Sequence, residues 1–251
     1  MGTVGRVLLI VVAGLVGLAI IALIVILAAP NAVAPLKDTL GQGPAPRWVP
    51  PAPVTAAASP GVGVAGQADA TWIATTARRT GIPARALEAY AGVAIVNPRV
   101  QPACGIGWNL LAAIGEVESR QGTIFGGRIT ANGDAVPAIF GVTLDGVSTA
   151  HIPDSDGGAI DGDATADRAV GPMQLIPEAW RNWHVDGNGD GVENPQNIDD
   201  STMAAAHYLC RAGGNLGTES GWRTAVLAYN SSDAYVDEVA RYAAAYAASS
   251  K

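Results

Sequence analysis

The chain has 251 residues, a formal net charge of −7 and an aromatic content of 6%. No run of lysine and arginine marks a phosphate-binding surface, so the composition argues against nucleic acid as a partner. The length suits one ordinary domain with additional segments, and we expect it to be a monomer.

An apolar stretch without charge or proline occupies residues 7–29. At about 1.5 Å per residue, it can span a hydrocarbon core of roughly 30 Å. Arg6 precedes the stretch and the next charged residue is Lys37, which favours a cytoplasmic N-terminus and an extracytoplasmic domain. We therefore predict a single-pass membrane anchor over residues 1–29. Small residues at 32–34 leave a cleaved signal peptide and a secreted domain as the alternative.

The next segment, residues 30–67, is rich in proline, alanine and glycine and lacks the apolar content needed for a core. This composition is typical of a semi-extended tether. We therefore predict a disordered linker over residues 30–67 and a folded domain over residues 68–251.

The folded region is predicted to be mainly α-helical. Apolar periodicity and turn residues indicate helices over 70–80, 84–94, 105–120, 177–183, 201–210, 221–229 and 233–246. The last of these carries an aromatic stripe that we interpret as core, formed by Tyr235, Val239, Tyr242 and Tyr246. Residues 122–167 are rich in glycine and aspartate, lack a helical period and include a β-prone piece at 138–142. Such a long loop inside a compact domain is usually functional, and we call residues 122–167 the insertion.

Cys104 and Cys210 are the only two cysteines in the chain. An even count in an exported chain predicts one disulfide between them. Two unpaired buried thiols are the alternative, and two isolated cysteines make a poor metal site.

Glu118 is the most informative residue of the helix predicted over 105–120. It follows Ile114 by four residues and shares its apolar face, whereas Glu116 lies off that face. Burial raises the pKa of a carboxyl group, which is what a general acid working near neutral pH requires. Gly115 is expected to leave space for a substrate above the carboxyl. The alternative is a glutamate that pairs with an arginine or caps a backbone group.

Three short segments follow one another along the chain: Val-Glu-Ser-Arg at 117–120, Gly-Pro-Met-Gln at 171–174 and Ala-Tyr-Asn at 228–230. Together they resemble the three signature segments of lytic transglycosylases of the lysozyme-like superfamily. The resemblance is greatest to the membrane-bound lytic transglycosylase B type in its actinobacterial form. It extends over about 104–246 and implies a lysozyme-like helical fold and peptidoglycan glycan strands as the partner.

The resemblance also implies a mechanism and a set of site residues. In this mechanism a single glutamate, here Glu118, protonates the oxygen between N-acetylmuramic acid and N-acetylglucosamine. It then accepts a proton from the 6-hydroxyl of the muramic acid, which gives a 1,6-anhydro end. The resemblance implies no catalytic cofactor. The residues implied to bind or orient the substrate are Ser119, Met173, Gln174, Tyr229 and Asn230. In this scheme Gln174 bonds the sugar, Met173 lines the cleft, and Tyr229 and Asn230 also orient Glu118; Ser119 can instead simply anchor the helix end.

Two other functions remain open at this stage. A muramidase of goose-lysozyme type uses a similar fold and glutamate but releases a reducing end, and a wall-binding module with a decayed site would not react at all. A helper acid from the insertion is a further possibility, with Asp161, Asp163 and Asp167 as candidates. A solvated acidic loop is the alternative for these three residues.

The aspartate-glycine segment over 186–191 has the spacing of an EF-hand calcium loop. Asp186, Asn188 and Asp190 stand at positions 1, 3 and 5, and Val192 would supply a backbone carbonyl at position 7. Position 12 is an asparagine instead of glutamate, and the resemblance implies Asp200 as the closing ligand. We therefore expect a structural calcium ion, and a metal-free turn is the alternative.

Overall fold

The computed structural model describes residues 43–147 and 149–250. The apolar stretch over 7–29 and the predicted anchor lie outside these residues. Within the described ranges, no helix combines the length and the apolar character needed to cross a bilayer.

Seven α-helices account for most of the regular secondary structure of the described residues, which confirms the predicted mainly helical class. They are α1 (Ala70–Thr80), α2 (Ala84–Val100), α3 (Trp108–Ser119), α4 (Pro177–Trp183), α5 (Ile198–Gly213), α6 (Glu219–Tyr229) and α7 (Asp233–Ser249). The predicted ranges recovered all seven, with the largest differences at the ends of α2 and α5. Single-turn 3₁₀ helices lie at Ala65–Gln67 and Ile124–Gly126.

Helix α3 runs through the centre of the domain. Every residue from Trp108 to Gly115 is buried, because α2, α5 and α7 pack around it. A helix that is apolar on all sides can be stable only inside such a bundle. The helix stops just after Ser119, where Arg120 and Gln121 adopt left-handed backbone conformations and their N–H groups bond the last helical carbonyls. Glu118 therefore lies in the final turn, where the helix leaves the core.

The linker prediction is wrong for its described part. Val49, Ala52 and Val64 are buried in the main core cluster, and the Trp108 indole donates a hydrogen bond to the Pro53 carbonyl at 3.1 Å. Asn109 adds a second tie, because its side chain accepts from the Ala52 N–H at 2.9 Å. The few apolar residues in this proline-rich stretch suffice because the backbone polar groups find buried partners on α3.

The insertion folds into two small antiparallel sheets. β1 (Arg128–Ile129) pairs with β2 (Ala135–Val136), and β3 (Phe140–Thr143) pairs with β4 (Arg168–Val170). The second sheet places Phe140 opposite Val170, immediately before the Gly-Pro-Met-Gln segment. The insertion is thus joined to the helical bundle at the Gly-Pro-Met-Gln segment, which the sequence analysis singled out.

The predicted disulfide is present between Cys104 and Cys210. It joins the segment before α3 to the last turn of α5, and within the described residues there is no free cysteine.

Candidate active site

The Glu118 carboxyl faces a tyrosine that the sequence placed in the core. Its Oε1 accepts a hydrogen bond from the Tyr235 hydroxyl at 2.6 Å. Burial raises the pKa of Glu118 to about 7; the Tyr235 hydrogen bond opposes that rise and the charge of Glu238 adds to it. Glu118 is half-buried, so its carboxyl can meet a substrate while a large fraction stays protonated at neutral pH.

Tyr229 lies close to this pair but does not bond to it. Its hydroxyl donates to the Met173 carbonyl at 2.6 Å, and burial followed by the charge of Glu118 raises its pKa well above the ordinary tyrosine value. The prediction that Tyr229 holds Glu118 is therefore wrong, and Tyr235 occupies that place. Tyr229 instead fixes the backbone of the Gly-Pro-Met-Gln segment. Asn230 is half-buried and follows the end of α6, where its N–H bonds the Val226 carbonyl.

The Gly-Pro-Met-Gln segment is tied to the end of α3 through Ser119. The Ser119 hydroxyl donates to the Pro172 carbonyl at 2.6 Å and accepts from the Gly122 N–H at 2.8 Å. Ser119 is 1% exposed, so it connects two elements and cannot bind a substrate. This corrects the substrate-binding role implied by the resemblance and supports the helix-end alternative.

Two neighbours in the same segment have different surroundings. Met173 is fully buried in the main core, so it does not line a cleft as predicted. Gln174 is half-buried and adopts a left-handed backbone conformation (φ 49°), which is uncommon for a residue other than glycine. That conformation lets its side-chain amide donate to the Gly171 carbonyl at 2.9 Å. Gln174 is thus the member of this segment available to a ligand.

Gly115 serves packing and leaves no room for a substrate. A Cβ atom at this position would lie 2.2 Å from the Tyr90 hydroxyl and 3.0 Å from Gln121 Oε1. Gly115 therefore lets α2 approach α3 on the inner side of the helix. The expectation that Gly115 provides space for a substrate is therefore wrong.

The C-terminal part of the chain is similar to a known domain family. Residues 147–250 match the transglycosylase SLT domain. The SLT domain family consists of lytic transglycosylases of the lysozyme-like superfamily that act on peptidoglycan. The match includes Gln174, Tyr229 and Asn230 and covers less than half of the 251 residues. No curated protein and no solved structure matches the chain.

Glu118 precedes the SLT match, which begins at residue 147. The contacts of Ser119 with Pro172 and of Tyr235 with Glu118 connect the end of α3 to the matched part. Sequence reasoning missed Tyr235 because it fits the apolar stripe of α7. The available signal for Tyr235 was its position in the first turn of that helix, which Ser232 caps.

The acidic residues of the insertion are engaged in its own folding. Asp161 accepts from the Arg168 and Asp163 N–H groups, and Asp167 accepts from the N–H and hydroxyl of Ser155. Hydrogen bonds from Thr165 and then Thr143 lower the pKa of Asp163 to about 2. Asp161 and Asp167 are buried, so the solvated-loop alternative is wrong for these two. The partners named for all three carboxylates lie in the insertion and at Arg168, and this is evidence for a structural role and against a helper acid.

The aspartate-glycine loop is folded by its own backbone. Asp186 accepts from the N–H groups of Gly189, Asp190 and Gly191, and the Asp190 carboxylate accepts from Val192. Oxygen donors of this kind suit calcium chemically.

Asp200 occupies a different place from the one predicted for a closing ligand. It is fully buried beneath the loop, and its carboxylate accepts from the N–H groups of Gly187, Asn188 and Asn194. In the described residues, three acidic ligand atoms come within 4.8 Å of one another only at Asp154, Asp156 and Asp167. The predicted donors therefore fit calcium by type, but Asp186, Asp190 and Asp200 do not converge on one point.

Proposed function

We propose that this chain is a peptidoglycan lytic transglycosylase of the membrane-bound type B, in its actinobacterial form, and that Glu118 is its only acid and base. The observation that carries the proposal is a half-buried carboxyl with a raised pKa, bonded by Tyr235 and tied through Ser119 to the segment matched by the SLT domain. The substrate bond is the β-1,4 bond between N-acetylmuramic acid and N-acetylglucosamine.

The reaction transfers two protons in turn, one from Glu118 and one back to it. Protonated Glu118 donates its proton to the bridging oxygen as the bond from that oxygen to C1 of the muramic acid breaks. The 6-hydroxyl of the same sugar then attacks C1 and gives its proton to the Glu118 carboxylate. This restores the acid and leaves a 1,6-anhydro end in place of a water-derived one. A second catalytic carboxylate is unnecessary, because the substrate's N-acetyl group supports the developing charge.

Tyr235 and Gln174 have distinct parts in this proposal. Tyr235 is a positioning residue that holds the Glu118 carboxyl and stabilises its ionised form. Gln174 bonds the sugar or its N-acetyl group, and Tyr229 holds the Met173 carbonyl so that Gln174 stays in place. The proposal includes an extracytoplasmic location through the N-terminal apolar segment and a structural calcium ion in the 186–200 loop. Calcium takes no part in the chemistry.

Product analysis tests the function. Purified protein should release fragments with 1,6-anhydromuramic ends from cell wall, each lighter by one water molecule than the hydrolysed end. Glu118→Gln should reduce the rate by at least about 10²–10⁴-fold with the fold retained, because a general acid–base group contributes that much. Glu116→Gln, on the same helix, is the matched control and should retain most activity. Reducing ends would indicate the muramidase, and intact wall would indicate a binding module.

A further inference from the structure

Among the described residues, the Arg168 guanidinium has no carboxylate partner, and it lies next to a strand residue that Gln174 also approaches. Its Nε–H donates to the Gly141 carbonyl at 2.9 Å, and the guanidinium lies over the Phe140 ring at 5.2 Å from the centroid. No carboxylate of the described residues comes within 4.0 Å of the guanidinium nitrogens, and no acceptor there bonds the two terminal amino groups. The buried Asp161 carboxylate takes the Arg168 backbone N–H instead.

Arg168 lies near the proposed substrate cleft, and Gly141 connects it to Gln174. A Cβ atom on Gly141 would lie 3.0 Å from Gln174 Oε1, so the Gln174 amide lies next to the strand residue to which the Arg168 guanidinium bonds. Gln174 is two residues from Pro172, a span of at most about 7 Å. Pro172 in turn bonds Ser119, the neighbour of Glu118.

An arginine held in this way is suited to a carboxylate. The Nε bond and the ring of Phe140 fix the plane of the guanidinium, and its free edge keeps four N–H donors that match a carboxylate geometrically. Phe140 is 36% exposed, so the pair stays open to solvent. In a chain of net charge −7, a cation that has no acidic partner in the described part of the chain indicates an acidic ligand.

We propose that Arg168, supported by Phe140, binds a carboxylate carried by the lactyl substituent of the muramic acid that occupies the cleft. This inference rests on the proposed function. Two sources carry that group: the peptide stem attached to the lactyl group, and the lactyl carboxylate itself when the stem has been removed. Arg168 thereby determines which wall substituents the protein accepts.

The test compares kcat/KM on three substrates: intact wall, the same wall with its carboxylates converted to methylamides, and stem-free glycan with free lactyl carboxylates. On a substrate that carries the bound carboxylate, Arg168→Gln should lower kcat/KM by about tenfold or more, because a charge-assisted bond is lost. On methylamidated wall the variant should equal the wild type. The lactyl carboxyl of intact wall is an amide to the stem, so a loss on intact wall identifies a stem carboxylate, whereas a loss confined to stem-free glycan identifies the lactyl carboxylate.

Two controls keep the outcome clear. If a stem carboxylate is bound, the wild type itself should lose a similar factor on methylamidated wall, a result that requires no variant to fold. Arg99→Gln on α2 should change nothing on any substrate. An equal loss on all three substrates, or no loss on both intact wall and stem-free glycan, overturns the inference. If the wild type releases no anhydro product from any of the three, the proposed function itself fails.

Discussion

A single hydrogen bond tunes the proposed acid. The Tyr235 hydroxyl favours the ionised carboxyl of Glu118, while burial favours the neutral form, and burial has the larger effect. The acid must be protonated to act, so activity should be present at low pH and decline as the pH rises through about 7.

Tyr235→Phe should therefore move the alkaline limb of the kcat/KM profile to higher pH. The change removes a bond to a charged group, which corresponds to a shift of about one pH unit or more. The measurement is a pH–rate profile on a soluble glycan. Tyr242→Phe, in the same stripe of α7 and with no hydrogen bond to Glu118, should leave the limb in place. An unmoved limb in Tyr235→Phe would contradict the positioning role.

At the scale of elements, the aspartate-glycine loop is fastened to the segment that was predicted as a tether. The Val64 N–H donates to the Gly187 carbonyl at 2.9 Å, and a Cβ on Gly63 would lie 2.4 Å from the Asn188 carbonyl oxygen. The folding of the loop and the folding of this N-terminal segment are therefore coupled.

Calcium should raise the melting temperature of the domain, because an ion that binds only the folded loop stabilises the folded state by mass action. The 1,6-anhydro product and its rate of formation should stay unchanged at temperatures where the metal-free domain is folded. The measurement is thermal unfolding with calcium or with a chelator. Asp190→Ala should abolish the shift. Asp145→Ala in the insertion is the matched control, because Asp145 also accepts from the N–H two residues further on. Absence of a shift in the wild type would leave the loop as a metal-free turn.

At the scale of the whole molecule, the disulfide connects distant parts of the chain. Cys104 and Cys210 are 106 positions apart, and the intervening residues include α3, the insertion and most of α5. Closing a loop of that length restricts the unfolded chain, which is worth about 4–5 kcal/mol in the chain-entropy model.

Replacing both cysteines with serine should accordingly lower the free energy of unfolding by up to about 4–5 kcal/mol. Activity at 25 °C should persist as long as the domain is folded, because the bridge lies away from Glu118. Denaturant unfolding and product analysis on the same preparation provide the two measurements. An unchanged free energy of unfolding would show that the unfolded chain is restricted by something other than the bridge.

The sequence by itself determined the helices, the disulfide pair and the residues around which the site is built. Helical period and turn residues are local properties, so all seven helices could be predicted from short windows. Glu118 could be singled out without any knowledge of its neighbours in space, because a carboxyl on the apolar face of a helix is unusual. The motif around Gln174 was equally visible, and the SLT match covers it.

Only the tertiary structure decided which side chains meet. Tyr235 and Tyr229 are six positions apart, and sequence cannot tell which hydroxyl reaches Glu118, because that depends on how α6 and α7 pack against α3. Burial of Ser119 and Met173 and the ordered packing of Val49 and Val64 likewise depend on contacts between segments far apart in the chain. The Arg168–Phe140 pair forms for the same reason, since the strand pairing that joins them brings together residues from 140–143 and 168–170.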